Sequence, residues 1–303
     1  MRFSIYQDSL CGARTTNQDR MGYCFTRDSL LMVVADGMGG HLHGEVAAHL
    51  ALQAAAACFQ ADARPLLVDP PAFLDRALRH AHREILRHQV LHDLPEAPRT
   101  TIVACVVQQG RAWWAHAGDS RLYWLRDARV VGRTRDHSKV QSLIDLGQID
   151  PADADTHPER NKVLNCLGSP FEPTIDLGGD VALAPGDTLL LCTDGVWSAL
   201  PEAALLALLS ADSVLASVPC VVRAAVEEAG ATADNATALA MTWGDDATAG
   251  VLLSSDDVPD GAITTTIAVG QLDAGSPAEV LSEDEIERTI REIREAISRT
   301  GNH

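Results

Sequence analysis

Five short apolar runs are the clearest structural signal along the chain. Each is five to seven residues long and lies between Gly, Asp or Asn residues, which is typical of buried strands. The runs are Leu30 to Ala35, Thr101 to Val107, Ala112 to His116, Thr188 to Cys192 and Ala236 to Met241. A hairpin-length connection at 108–111 joins the second run to the third, and Asp127-Ala128 is expected to turn a further hairpin. The pattern therefore predicts antiparallel sheet.

Longer segments between these runs have the composition of helices. Ala and Leu are frequent in them, and no glycine interrupts them. The segments are Gly44 to Gln60, Ala72 to His92, Glu202 to Leu209 and Ser213 to Ala229. Because the strands come in clusters with helices between them, the sequence predicts an α+β fold of packed layers and not a βαβ series.

The last fifth of the chain differs from the rest in charge. Residues 246–303 hold twelve acidic and four basic side chains, and apolar residues are scattered until the end. We expect a catalytic domain over 1–245 and an acidic flexible linker over 246–281. Ser282 and Glu285 have the spacing of a capping box, and isoleucines then repeat at helical spacing. An amphipathic helix over 282–300 is predicted, either docked on its own domain or binding a partner.

Composition excludes several function classes. The net charge of −18 argues against a nucleic-acid binder, which needs clustered basic residues. The first residues lack the layout of a signal peptide, and the Ala-rich run from Val46 to Phe59 is too short to span a bilayer. Seven cysteines without a Cys-x-x-Cys pair suggest neither a disulfide framework nor a zinc knuckle. We expect a cytoplasmic monomer that does not bind membranes.

Three aspartates stand at the ends of apolar strand patterns. Asp36 and Asp194 directly follow such runs, and Asp234 directly precedes one. An Asp-Gly pair after a strand is ordinarily a turn. Here Asp36-Gly37 runs on toward a helix, and Asp194-Gly195 is followed by another, so neither resembles a two-residue hairpin. Convergence of the three carboxylates on a cation is the better interpretation, and hard oxygen ligands favour Mg²⁺ or Mn²⁺.

Eight segments in one order extend this constellation along the predicted domain. They are Arg14 to Asp19; Asp36 to His41 with Gly44-Glu45; Thr100-Thr101; Gly118 to Arg121; Asp136 to Ser138 with Leu143 and Gly147; His157 to Gly168; Cys192 to Gly195; and Asp234 to Thr237. In these segments the chain resembles the bacterial metal-dependent type 2C serine/threonine protein phosphatases. The resemblance implies a four-layer α-β-β-α sandwich of two antiparallel sheets flanked by helices.

The resemblance also implies a role for each matching residue. Asp36, Asp194 and Asp234 match the aspartates of a binuclear Mn²⁺ or Mg²⁺ centre. The Gly37 carbonyl matches a ligand of the second ion, which Asp19 is expected to contact through water. The remaining matches are Asp119, for a third and weaker metal, and Arg14, for the substrate phosphate.

The implied activity is hydrolysis of phosphoserine and phosphothreonine in proteins, and a serine/threonine kinase is the expected opposing enzyme. A water shared by two divalent ions has a lowered pKa and attacks phosphorus in line. The leaving alkoxide needs a proton from a water or a histidine. His41 is the first candidate for this general acid, and His137 and His157 are the others.

Two departures from the family pattern bear on the substrate. Arg99 stands where the family usually has glycine before the paired threonines, and Asn165 replaces a commonly basic position. Neither removes a metal ligand. Two alternatives stay open at this point: a pseudophosphatase that works as a regulatory module, and a phosphatase of small phosphorylated molecules.

Overall fold

The computed structural model describes residues 1–38, 43–244, 253–254 and 264–268, the last two segments by their backbone alone. The chain divides into a compact unit, Met1–Gly270, and a second unit, Gln271–His303, which lies outside the described residues. Within the first unit, the strands form two antiparallel sheets of six strands each.

Both sheets are built from strands that are distant in the chain. The first sheet contains, in spatial order, β11 (Leu253–Ser254), β1 (Arg2–Leu10), β10 (Ala236–Trp243), β9 (Thr188–Cys192), β6 (Arg121–Arg126) and β7 (Arg129–Arg133). The second contains β12 (Thr264–Ala268), β2 (Arg20–Phe25), β3 (Ser29–Ala35), β4 (Ile102–Gln108), β5 (Arg111–Ala117) and β8 (Asp176–Ala182). All five apolar runs predicted as strands are strands.

Most of the helices flank the two sheets, and one lies in the connection between β7 and β8. The helices are α1 (Gly44–Asp62), α2 (Pro70–Leu91), α3 (Lys139–Asp145), α4 (Asp194–Trp197), α5 (Glu202–Ala211) and α6 (Val214–Ala229), with short 3-10 turns at Pro151–Thr156 and Gly230–Thr232. The pair α1 and α2 packs on the second sheet, while α5 and α6 pack on the first. The predicted α-β-β-α sandwich is confirmed.

The layer between the sheets follows from the alternation of side chains along each strand. In β3 the even positions, such as Met32 and Val34, face the other sheet, and in β4 the odd positions, such as Val103 and Cys105, do so. Leu191 of β9 faces them from the first sheet. All five are fully or almost fully buried. Burial of a Leu or Val side chain stabilises the fold by about 1.5–3 kcal/mol, so this layer is a principal source of stability.

Both predicted hairpins are confirmed. Gln109 and Gly110 connect β4 to β5, and Asp127 and Ala128 connect β6 to β7. In each pair both residues have positive φ, between 51° and 70°. This left-handed conformation gives the turn a twist that matches the twist of the flanking strands.

The range predicted as a linker, 246–281, contains two strands. Leu253–Ser254 pairs with β1, and Thr264–Ala268 pairs with β2, so each adds an outer strand to one sheet. Composition did not reveal them because their pairing rests on backbone hydrogen bonds at a sheet edge, for which side-chain character is secondary. The predicted helix over 282–300 lies outside the described residues. No helix in the described part of the chain has the length and apolar character to cross a membrane.

Candidate metal centre

At one edge of the sandwich, the layer between the sheets changes from apolar to polar. Asp19 stands two residues before Met21 of β2, and Asp36 two residues after Val34 of β3, so both continue the face that looks toward the other sheet. Thr193 of the first sheet does the same after Leu191 of β9. The carboxylates of Asp19 and Asp36 and the hydroxyl of Thr193 therefore lie together between the two sheets, at the edge where these strands begin or end.

Asp194 and Asp234 come to the same edge from neighbouring strands. Asp194 opens α4 directly after β9, and Asp234 lies just before β10, which pairs antiparallel with β9. The two backbones approach so closely that a Cβ on Gly195 would lie 2.1 Å from the carbonyl oxygen of Asn235. Glycine at 195 is therefore required for the first turn of α4 to lie beside the start of β10.

Asp36, which follows a strand of the second sheet, and Asp194, which follows a strand of the first, lie close enough for each carboxyl to influence the ionisation of the other. Burial, followed by the charges of Asp19, Asp194, Asp119 and Asp234, raises the pKa of Asp36 well above its usual range. The pKa of Asp194 rises to about 6, through burial and the charge of Asp234. Five carboxylates thus interact within one small region.

Asp19 supplies the strongest sign that a cation belongs in this region. Its Oδ2 accepts a hydrogen bond from Thr193 Oγ1 at 2.9 Å, whereas its Oδ1 is buried without any hydrogen-bond partner. Burial, with the charges of Asp194 and Asp234 as further causes, raises the pKa of Asp19 to about 8. A buried carboxylate oxygen without a partner is costly, and a bound cation removes that cost.

Asp119 lies in the loop between β5 and β6 and is 3% exposed. Burial, with the charges of Asp194 and Asp136, raises its pKa to about 8. The indole Nε1 of Trp197 donates to the Asp119 carbonyl at 3.0 Å, so the loop is tied to α4, the helix that Asp194 opens. This arrangement holds Asp119 beside the other four aspartates. The donor set, all carboxylate oxygens, fits Mn²⁺ or Mg²⁺.

Gly37 lies where two backbone segments meet. A Cβ at this position would lie 2.4 Å from the backbone of Gly44, at the start of α1, and 2.8 Å from the carbonyl oxygen of Gln18. The Gly37 N–H donates to that same carbonyl at 3.2 Å. Glycine here allows the chain after Asp36 to pass between the Gln18 segment and α1. The ligand role of the Gly37 carbonyl stays a prediction.

Arg14 lies at the rim of the acidic cluster and forms a two-point ion pair with Asp234. Its Nε donates to Asp234 Oδ1 at 2.8 Å and its Nη2 donates to Oδ2 at 2.7 Å. The hydrogen bond and the charge of Asp234 raise the pKa of Arg14. The side chain is 59% exposed, so the guanidinium is open to solvent at the mouth of the site.

Asn235 holds the segment that carries Arg14. Its Nδ2 donates to the carbonyls of Cys11 at 2.9 Å and Thr16 at 3.1 Å, and its Oδ1 accepts from the Gln18 N–H at 2.8 Å. The loop from β1 to β2 is therefore fastened to the start of β10. Sequence reasoning did not identify this role of Asn235 or the hydroxyl of Thr193. The alternation of β9 was the available signal for Thr193.

The three histidines considered as general acid have different outcomes. His41 lies outside the described residues. His157 Nδ1 accepts a hydrogen bond from the Glu159 N–H at 3.1 Å. His137 has both ring nitrogens engaged, since Nδ1 accepts from the Gly118 N–H at 3.2 Å and Nε2 lies 3.1 Å from Asp176. His137 therefore has a structural role in fastening Gly118, next to Asp119.

His137 also belongs to a group that has the composition of a metal site. Candidate ligand atoms of His116, His137 and Asp176 all lie within 4.8 Å of one another. The Nδ2 of Asn165 lies 2.7 Å from His137 Nδ1, which already accepts the Gly118 N–H. Two donors on Nδ1 place the ring proton on Nε2, facing Asp176, so Nε2 has no lone pair for a metal. This group is a hydrogen-bonded cluster, in which Asn165, from the connection between α3 and β8, is joined through His137 to the loop that contains Gly118.

The chain folds as an α-β-β-α sandwich, and the carboxylate cluster at one edge of the sandwich suits hard divalent cations. A family model described as protein phosphatase 2C matches residues 8–218. The chain belongs to the protein phosphatase 2C family.

Individual relatives and solved structures agree with this assignment. The chain is 34% identical over 225 residues to the serine/threonine protein phosphatase PstP of Mycobacterium tuberculosis. The aligned residues make up 74% of this chain but only 41% of PstP. The crystal structure of PstP/Ppp from that organism superposes with a TM-score of 0.70 at 31% identity, over 80% of this chain and 99% of that one. A PstP catalytic domain in complex with two manganese ions gives a TM-score of 0.66 at 29% identity, over 80% and 98% of the two chains.

Proposed function

We propose that this protein hydrolyses phosphoserine and phosphothreonine in proteins, with two divalent cations, Mn²⁺ or Mg²⁺, held by Asp36, Asp194, Asp234 and the Gly37 carbonyl. Asp19 lies beside the second ion, and Asp119 with Asp194 holds a third. The observation that carries the proposal is the buried Asp19 Oδ1 without a partner, inside a cluster of carboxylates with raised pKa values.

Two bound cations would lower the pKa of a water shared between them, so that hydroxide attacks phosphorus near neutral pH. The chain's own groups do the rest. Asp36, Asp194 and Asp234 are positioned before substrate binds, because each lies at the end of a strand in one of the two sheets. Arg14 neutralises the phosphoryl oxygens, since its planar fork matches two oxygens. The general acid, with His41 as first candidate, stays a prediction.

Protein substrates are favoured by the relatives. PstP is described as a serine/threonine protein phosphatase, and PhpP of Streptococcus pneumoniae as a protein phosphatase. We propose a serine/threonine kinase as the opposing enzyme, and we propose that the protein acts as a cytoplasmic monomer. A pseudophosphatase is disfavoured because the carboxylates converge. A phosphatase of small phosphorylated molecules needs the same centre and differs only in what its rim accepts.

The proposed reaction is tested with the full chain and two substrates. In Mn²⁺, a phosphothreonine peptide and p-nitrophenyl phosphate are compared by kcat/KM, with EDTA-treated protein as the metal-free control. We expect Mn²⁺-dependent release of phosphate and a higher kcat/KM for the peptide. A higher kcat/KM for p-nitrophenyl phosphate would favour small molecules as substrates. No turnover of either substrate, despite bound metal, would favour the regulatory module.

A further inference from the structure

Arg99 stands on the same face of the fold as the acidic cluster. Thr100 forms isolated antiparallel bridges with Gly37 on one side and Leu167 on the other. The Thr101 N–H donates to the Asp36 carbonyl at 2.9 Å. Thr101 is therefore opposite Asp36, and both side chains point between the sheets.

The next pair along the same bridge brings in Arg99. The Met38 N–H donates to the Arg99 carbonyl at 3.0 Å, which places Met38 opposite Arg99. Side chains alternate along extended backbone, so residues 99 and 101 share a face, as do residues 36 and 38. The side chain of Arg99 therefore lies on the same face of the sheet as the Asp36 carboxylate, one residue pair closer to the rim of the site.

The guanidinium of Arg99 has a buried donor without an acceptor among the residues that the structure describes. Its Nε is buried and makes no hydrogen bond, and no ion pair to Arg99 occurs among the residues that the structure describes. Arg14 differs in this respect, because Asp234 takes both of its donors. A buried guanidinium N–H without an acceptor costs free energy, so this position suits a ligand that brings its own acceptors.

The charge of Arg99 acts on the same buried thiol as the charge of Asp119, one of the carboxylates of the candidate metal centre. Burial raises the pKa of the Cys166 thiol, the charge of Arg99 opposes that rise, and the charge of Asp119 adds to it. Arg99 and Asp119 therefore both lie near enough to Cys166 to act on it. Together with the shared face of Arg99 and Asp36, this places a cationic side chain near the carboxylates that a substrate's phosphoryl oxygens would approach.

We propose that Arg99 binds the phosphoryl group of the substrate as a second guanidinium, beside Arg14. This inference rests on the proposed phosphatase function and names a further residue for it. A phosphoryl dianion offers three oxygens with several lone pairs each, so one arginine fork, which engages two of them, leaves acceptors for a second guanidinium. Arg99 has unused donors on the correct face, and it stands in a bridge that fixes its backbone.

Two substitutions separate charge from packing. Arg99→Met keeps the length and the apolar part of the side chain, while Arg99→Lys keeps the charge without the planar fork. Arg87→Met is the matched control, because Arg87 is 66% exposed on α2 and pairs with Glu84. All variants are full-length and Mn²⁺-loaded. Their folding is checked by the melting temperature with and without Mn²⁺.

The first readout is binding of inorganic phosphate by calorimetry, which does not depend on turnover. We expect Arg99→Met to weaken phosphate binding about tenfold, in line with the loss of one charge-assisted hydrogen bond. Arg99→Lys should lie between Arg99→Met and the natural protein, and Arg87→Met should leave binding unchanged. Unchanged phosphate binding in Arg99→Met would overturn the proposal. If Arg99→Met does not fold, Arg99→Gln takes its place with the same expectation.

The second readout is steady-state kinetics on p-nitrophenyl phosphate and a phosphothreonine peptide with acidic flanking residues. We expect KM to rise by a similar factor for both substrates, because the phosphoryl group is common to them, with a smaller change in kcat. A rise confined to the peptide would mean that Arg99 binds flanking acidic side chains, against the proposal. If the natural protein binds phosphate through Arg99 but hydrolyses neither substrate, the proposed function fails and this inference stands.

Discussion

Arg14 and Asp234, 220 positions apart in the chain, form an ion pair in which Nε meets Oδ1 at 2.8 Å and Nη2 meets Oδ2 at 2.7 Å. Asp234 is also one of the carboxylates proposed to hold a cation. The same carboxylate cannot give both oxygens to the guanidinium and also bind a cation at full strength. Cation binding at Asp234 would therefore weaken the ion pair and leave Arg14 available to the phosphoryl oxygens.

Replacing Arg14 tests this exchange. We expect Arg14→Ala to raise KM for a phosphothreonine peptide about tenfold or more, because a charge-assisted contact to phosphate is lost. Mn²⁺ affinity should not fall, since Asp234 loses a competitor. Arg76→Ala is the control, because Arg76 is 56% exposed and pairs with Asp62 away from the cluster. An unchanged KM in Arg14→Ala would remove the phosphate role.

Asp194 is the clearest position at which activity and stability separate. We expect Asp194→Asn to lower kcat by on the order of 10³, because several kcal/mol of metal-assisted transition-state stabilisation are lost. The metal-free variant should melt no lower than the natural protein, since an amide removes repulsion with Asp36 and Asp234. Asp180→Asn, at an exposed ion pair with Arg111, is the control. Near-full activity of Asp194→Asn would contradict the metal assignment.

Metal removal should destabilise the protein. A cation that binds only the folded state adds about 2.7 kcal/mol at a free concentration one hundred times its dissociation constant. We expect Mn²⁺ to raise the melting temperature of EDTA-treated protein in calorimetry. Asp194→Asn should lose most of this rise, and Asp119→Asn should lose a smaller part, because Asp119 is proposed to serve the weaker third ion. A rise that both variants retain in full would place the bound Mn²⁺ elsewhere.

Asp187, which is not part of the carboxylate cluster, provides a prediction about how stability depends on pH. Burial acts to raise its pKa, but hydrogen bonds from Arg126, the Ala184 N–H and Trp124 Nε1 outweigh burial and hold the pKa below its usual range. A carboxyl whose pKa is lower in the folded state stabilises the fold above its unfolded pKa, about 3.9. That contribution is lost as pH falls through the folded pKa.

We therefore expect Asp187→Asn to lower the melting temperature by a few degrees at pH 7. The difference from the natural protein should narrow below about pH 4, where the natural carboxyl also becomes protonated. Thermal unfolding across this pH range measures it, with Asp180→Asn as the control at an exposed carboxylate. A difference that stays constant with pH would show that packing, and not the charge of Asp187, is responsible.

Local pattern determined much of the fold. The apolar runs at Leu30 to Ala35 and Ala236 to Met241 became β3 and β10, because a short apolar run between Gly, Asp or Asn residues is a signal contained within the strand itself. The turn at Asp127-Ala128 was also readable, because its conformation depends on its own residues. Less regular segments, such as β1 and β8, were not predicted, since their pairing partners stabilise them more than their own composition does.

The amino-acid sequence by itself determined which positions along the chain carry the carboxylates, and that Asp36, Asp194 and Asp234 stand at strand ends. Only the tertiary structure decided that Asp19 from one sheet lies against Thr193 from the other, that Arg14 meets Asp234, and that the buried Nε of Arg99 finds no acceptor in the described part of the chain. The reason is physical. Alternation fixes which face a side chain takes, but which strands become neighbours depends on packing energies summed over the whole sandwich, and no local pattern contains that sum.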